Sequence, residues 1–229
     1  MVGPGVAIVR VVENDANSDQ TALPSKLWIR NGWLEKGSSG SWMFFRARAI
    51  DGKEVYAAVG TPMTLRRLCE LMITVSSNFA ANVLLEKLGV DNVRRTVTSL
   101  GGDGMQVLRG VEDQKAFDKG LNNTTTARGL LVLFERLAHA AAVDAQSDAA
   151  MIDILKRQQF NDGIPAGVPP GTPVAHKTGT ITRIHHDAGI VYAARPYVLV
   201  ILVRGLADQK KSAALMADLS RLVFASASR

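Results

Sequence analysis

The 229 residues are 47% hydrophobic and 6% aromatic, enough for a packed core in one domain or two small interleaved ones, and so exclude a disordered chain. The formal charge of +6 raises the question of a polyanion partner, but the basic pairs Arg66-Arg67, Arg94-Arg95 and Lys210-Lys211 are scattered without interleaved aromatics. They read as solvated helix faces, and no nucleic-acid partner is expected. No apolar run reaches membrane-spanning length, and the opening MVGPGVAIVRVVEND has no charged lead or small-residue cleavage site. The expectation is therefore no membrane partner and no export signal.

In chain order, GVAIVRVV at Gly5 to Val12 is β-branched and predicts a strand, closed by the turn formers ENDANSD. Residues 13 to 60 mix Gly37, Ser38, Ser39 and Gly40 with patches around Trp28, Trp33 and Trp42, without a clear period, and predict loop with short elements. From Thr64, the residues Leu65, Leu68, Leu71, Met72 and Val75 recur at helical spacing and predict a helix ending near Val75. A second helix is expected from Phe79 to Lys87, stopped at Gly89, which leaves Ser76, Ser77 and Asn78 at the junction. Thr126 opens a third, with Leu130, Leu131, Leu133, Phe134 and Leu137 inward, and Ser147 is the expected cap of AAMIDILKRQQF. IPAGVPPGTP reads as a loop. VAHKTGTIT, HDAGIVYAA and YVLVILVRG follow as three strands of an antiparallel meander, and Ala207 to Ala225 as an amphipathic helix.

Strands at both ends with helices between them predict a mixed fold, α/β of the α+β type: an antiparallel sheet with terminal helix cover and a mainly helical subdomain. The expected division is 1–60, an irregular segment with a strand, and 61–229, with helices over about 61–160 and the sheet and last helix over about 161–229. A cleft between the two parts is the natural site.

Three segments carry chemistry. VSSN at Val75 to Asn78 lies on the helix junction, HKTGT at His176 to Thr180 on a strand, and RGVED with GLNNTTTA between them. Each is weak alone, but the pair about a hundred residues apart on these elements is specific. In order and spacing they resemble the SxN, KTG and Ω-loop elements of the class A β-lactamases, within the penicillin-recognising serine hydrolases. The resemblance covers roughly the last three quarters of the chain; the first 50 or so residues do not follow the pattern. It implies a β-lactamase/transpeptidase-like fold and a small β-lactam or related acyl-amide as substrate. It also implies a monomer with no cofactor and a family habit of export, although compartment stays open for this chain.

By that resemblance, Ser76 passes a proton toward the leaving nitrogen and Asn78 holds the substrate amide. Lys177 sets an ammonium at the cleft rim for a substrate carboxylate, with the Thr178 hydroxyl beside it. Gly179 lets an acyl-amide lie close along the strand edge, and the Thr180 N–H is half of an oxyanion hole. Glu112, after Arg109 in an RxxE arrangement, is the candidate base for a deacylating water; Asp113, or neither, remains an alternative, as does an ordinary solvated Glu. Ser77 stands where many class A enzymes have Asp.

His176, His185, His186 and Asp187 invite a metal reading, but their spacing on adjacent strands is not that of a zinc site, and none is expected. His139 at a helix end reads as a dipole partner. Cys69, the single cysteine, reads as a small buried hydrophobe. The family's SxxK nucleophile motif does not occur, since no lysine has a Ser three residues earlier. Ser25-Lys26 are adjacent and diverge on a helix, so Ser25 is not taken as a nucleophile. Two functions are thus expected: a β-lactamase-like serine hydrolase, inactive if the motif's absence is decisive, or a pseudoenzyme that binds β-lactams or peptidoglycan-like acyl-amides. A Ser-His-Asp esterase would need a GxSxG elbow, and there is none.

Overall fold

The computed structural model describes residues 26–28, 53–58 and 61–227. The predicted Gly5 to Val12 strand, Ser25, Trp33 and Trp42 lie outside them. Within 13–60, two short elements are described, the strand β1 (Lys26–Trp28) and the helix α1 (Lys53–Ala57). β1 pairs antiparallel with β2 (Pro62–Thr64), which leads directly into α2 (Leu65–Thr74).

Thr64 caps α2 by accepting from Arg67 N at 3.1 Å, and the Leu68, Leu71 and Met72 face is buried. α3 (Asn78–Leu88) starts at Ser77, whose Oγ accepts from Ala80 N at 3.2 Å, and stops at Gly89 with φ 80. Phe79, Ala80, Val83 and Leu84 pack against α2 and Val55 to form one core. Gly89 then opens α4 (Val90–Ser99), a helix the periodicity did not reveal: only Val93 and Val97 of its residues are buried, too narrow a stripe to stand out.

After a loop holding α5 (Gln114–Asp118), α6 (Ala127–Ala138) is capped by Thr126, as expected, with Gly129 N donating to its Oγ1 at 3.0 Å. α7 (Ala145–Lys156) corrects the sequence reading of its start. Its cap is Asp144, which accepts from Ser147 N at 2.8 Å, so Ser147 sits inside the first turn. The IPAGVPPGTP segment contains a 3₁₀ turn at Ile164–Gly167.

The meander is an antiparallel sheet of β3 (Val174–Ile181), β4 (Ile184–Val191) and β5 (Tyr197–Arg204), in that order, covered by α8 (Gln209–Ala227). Its two faces bury different partners. Ala175, Ala188 and Ile190 pack against α6 and α7, whereas Val174, Val191, Ile201 and Val203 pack with Ile164 and Met216 of α8. β3 lies at the end of this sheet, beside the helices, which sets the position of the site. Among the described residues no helix is long and apolar enough to cross a membrane.

Candidate active site

α2 ends in a left-handed residue, Ser76, with φ 52. Such a stop is usually supplied by glycine, because a Cβ costs about 1 kcal/mol or more in this region. Ser77 N–H reaches back to Leu71 O at 3.1 Å, so the chain folds over the helix end before α3 begins. That turn presents the Ser76 hydroxyl to the sheet, where the Lys177 ammonium of β3 donates to it. Lys177 Nζ also donates to its neighbour's carbonyl, Thr178 O, at 2.5 Å.

The ladder explains why that carbonyl is available. Tyr192 N donates to Pro173 O at 3.0 Å, and bonded and non-bonded pairs alternate along an antiparallel register. Thr178 and Thr180 are therefore in non-bonded pairs with Asp187 and His185, and their N–H and C=O groups point away from β4 along the outer edge of β3. An extended acyl-amide can pair with this edge as an added strand.

Lys177 is part-exposed along its stem, but its ammonium is enclosed between Ser76 and the edge. Burial pushes its pKa down to about 8, opposed by the Asp187 carboxylate on the next strand. Ser76, Asn78, Lys177, Thr178, Gly179 and Thr180 line one cavity of about 700 Å³ between the helices and the sheet. Glu112 is not on its lining but touches it through Asn78, whose Nδ2 donates to Glu112 Oε1 at 3.2 Å. Glu112 is also left-handed, with φ 61, so two of the four non-glycine residues with positive φ among those described belong to this site. Asp113 is buried and caps α5 by accepting from Ala116 N at 3.0 Å, which assigns it a structural task.

Sequence reasoning missed the residues that hold the Glu112 loop. Asn82, on the α3 turn after Asn78, accepts from Val111 N at 2.7 Å and donates to Val111 O at 3.0 Å. Asn123 accepts from Leu108 N and Arg109 N at 2.8 and 3.1 Å and donates to Arg109 O at 3.0 Å. Two Asn side chains thus satisfy five backbone groups of a loop that has no regular structure to do so. Asn123 stood in the LNN segment singled out by resemblance; the sole signal for Asn82 was an amide in an otherwise apolar stretch, FAANVLL.

Cys69 is buried, and burial pushes its thiol up to about 12, so it is no nucleophile. His139 caps the end of α6, its Nδ1 at 2.8 Å from Glu135 O. Among the described residues, no three His, Cys, Asp or Glu side chains group as metal ligands would. His176 and Asp187 instead form a buried pair at 2.8 Å, on the sheet face opposite Lys177.

The Beta-lactamase enzyme family model matches residues 37–227, most of the chain. The chain belongs to the Beta-lactamase enzyme family. The Bacillus licheniformis β-lactamase is 28% identical over 180 residues, 72% of this chain and 56% of that protein. The carbapenem-hydrolyzing β-lactamase KPC of Klebsiella oxytoca is 29% identical over 172 residues, covering 72% and 59%. The chain thus spans little more than half the length of these relatives. Among solved structures, the class A β-lactamase of Mycobacterium abscessus superposes with a TM-score of 0.74 at 24% identity, over 92% of this chain and 78% of that one. A PBP-A variant captured as its acyl-enzyme with penicillin G gives 0.73 at 25%, over 88% and 70%. The family's fold, an antiparallel sheet with a helical subdomain, is the one described above.

Proposed function

We propose that this member of the β-lactamase family binds β-lactams or related acyl-amides along the β3 edge and presents them to Ser76. The observation that carries this is the hydrogen bond from Lys177 to Ser76 across the cleft. It joins a strand edge able to pair with an amide to a hydroxyl able to relay a proton. Lys177 and Thr178 hold the ligand carboxylate, Asn78 its side-chain amide, and the Thr180 N–H the carbonyl oxygen. Gly179 leaves the edge open, as nothing but His186 Cβ, at 3.9 Å, lies near the position its own Cβ would take. Glu112, tied to Asn78, is the base for a water that attacks an acyl group.

A second reading, capture without turnover, is favoured by one observation: the 229 residues contain no Ser three before a Lys. Incubation with penicillin followed by intact-protein mass spectrometry separates the two. A covalent adduct supports the hydrolase; saturable binding without an adduct supports the pseudoenzyme; no binding at all rejects both.

A further inference from the structure

Behind the cleft, on the face of the sheet turned from Ser76, His176 and Asp187 are almost fully enclosed, at 1% and 0% exposure. Every polar atom of the two side chains has a partner. Asp187 Oδ1 lies 2.8 Å from His176 Nδ1, and Asp187 Oδ2 accepts from Ile164 N at 2.8 Å. His176 Nε2 lies 3.1 Å from Asn161 Oδ1, and the orientation of that amide is set independently, because Asn161 Nδ2 donates to Gln158 O at 3.1 Å. Both ring nitrogens therefore face oxygen acceptors, and each hydrogen bond requires a proton on the nitrogen. The packing is cut to this pair: a Cβ on Gly163 would come within 2.5 Å of Asp187 Oδ2, and one on Gly189 within 2.5 Å of His176 Cβ.

Gln159, Phe160, Asn161 and Asp162 line the same cavity as the Lys177–Thr180 edge, yet they belong to an irregular segment between α7 and the 3₁₀ turn. We propose that His176 and Asp187 are positioning residues. His176, with both ring nitrogens protonated, and the Asp187 carboxylate clamp the 158–164 wall of the cleft to β3 and β4, thereby fixing the edge on which Lys177 sits. The charge on each is balanced only by the other, so a buried cation and anion persist where either alone would be costly. Asn161 closes the clamp on the cleft side and Ile164 on the other. The functional consequence rests on the cleft being the ligand site; the clamp itself does not.

The test begins with the unaltered protein and needs no variant to fold. Nitrogen-15 NMR of the histidine rings at neutral pH should show a proton on both nitrogens of His176; a single ring N–H would overturn the proposal. In Asp187→Asn one of the two should be lost. Hydrogen exchange of the Ile164 amide and of the 158–163 backbone should accelerate about tenfold or more in His176→Phe, with α6 amides unchanged, since local opening has its own free energy. Uniform acceleration, or none, would overturn the clamp. Penicillin titration of the same proteins then reads the cleft: His176→Phe should bind about tenfold more weakly, by analogy with other losses of preorganisation. If the unaltered protein binds no penicillin while the ring and exchange results hold, the proposed function fails and the clamp stands.

Discussion

Asn82 holds Val111 by both of its backbone groups, 2.7 Å to the N–H and 3.0 Å to the carbonyl, across 29 residues of chain. Asn82 is itself buried, so water replaces neither bond freely when the side chain is removed. The loop it anchors carries Glu112, whose left-handed conformation persists only where its surroundings impose it.

Asn82→Ala should therefore cost about 2 to 4 kcal/mol, two orphaned buried backbone groups at roughly 1 to 3 kcal/mol each with partial relaxation. Urea unfolding monitors this. A loss below about 0.5 kcal/mol, the level of an ordinary surface substitution, would show that the loop is held by Asn123 alone. Because Asn78 reaches Glu112 across the same loop, the variant should also relax any adduct-clearing function before it affects ligand affinity.

The Lys177 ammonium predicts a graded series. A charge-assisted bond to a ligand carboxylate contributes on the order of 1.5 to 3 kcal/mol, so Lys177→Ala should weaken penicillin binding about tenfold or more. Lys177→Arg should recover part of it, since charge is kept while the compact geometry is lost. Added salt should weaken binding to the unaltered protein more than to the Ala variant. Equal affinities for the unaltered protein and Lys177→Ala, both folded, would leave the triplet as a plain edge strand.

The depressed pKa gives that series a pH dependence. Lys177 loses its proton near pH 8 in the free protein, against an ordinary value of 10.5, while a ligand carboxylate is ionised throughout. Penicillin affinity should be flat below about pH 8 and fall above it; in Lys177→Arg it should stay flat. For stability the sign is opposite. Between about 8 and 10.5 the unfolded chain holds the proton that the folded chain has released, so stability should rise with pH through that window, and Lys177→Met should lack the rise. Calorimetric titration and urea midpoints at pH 7, 8.5 and 10, three points bracketing that shift, measure both.

What was legible in the sequence follows from how many residues report each feature. α2, α3, α6 and the meander each announce themselves through a periodic apolar face that the core demands. α4 does not, because it buries only Val93 and Val97. At the start of α7 two capping residues compete three positions apart, and Asp144 takes the cap with Ser147 donating to it. In the site, Ser76, Asn78 and Lys177 stood out because their chemistry repeats a family pattern. The amide tethers of Asn82 and Asn123 had no such signal: an Asn that satisfies a distant loop reads, along the chain, like any polar residue on a helix or beside one. The His176–Asp187 pair was visible as residues, yet its role depends on strand register and on an Asn from another segment.

The left-handed Ser76 yields the sharpest separation of function from stability. At φ 52 a glycine would relieve roughly 1 to 2 kcal/mol of strain, set against roughly 0.5 to 1 kcal/mol of added unfolded-chain entropy. Alanine relieves nothing at this position, and both substitutions remove the hydroxyl that accepts from Lys177, worth roughly 1 to 3 kcal/mol. Ser76→Gly should therefore be more stable than Ser76→Ala by about 0.5 to 1.5 kcal/mol, and close to the unaltered protein. Urea unfolding of the three proteins gives the order. If the turn exists to display the hydroxyl, the two variants should nevertheless share one functional loss: any penicillin adduct or turnover found in the unaltered protein should drop about a hundredfold or more in both, the scale of a removed proton relay. A Ser76→Gly protein that is stable and fully active would mean that Ser76 is a helix stop and nothing else.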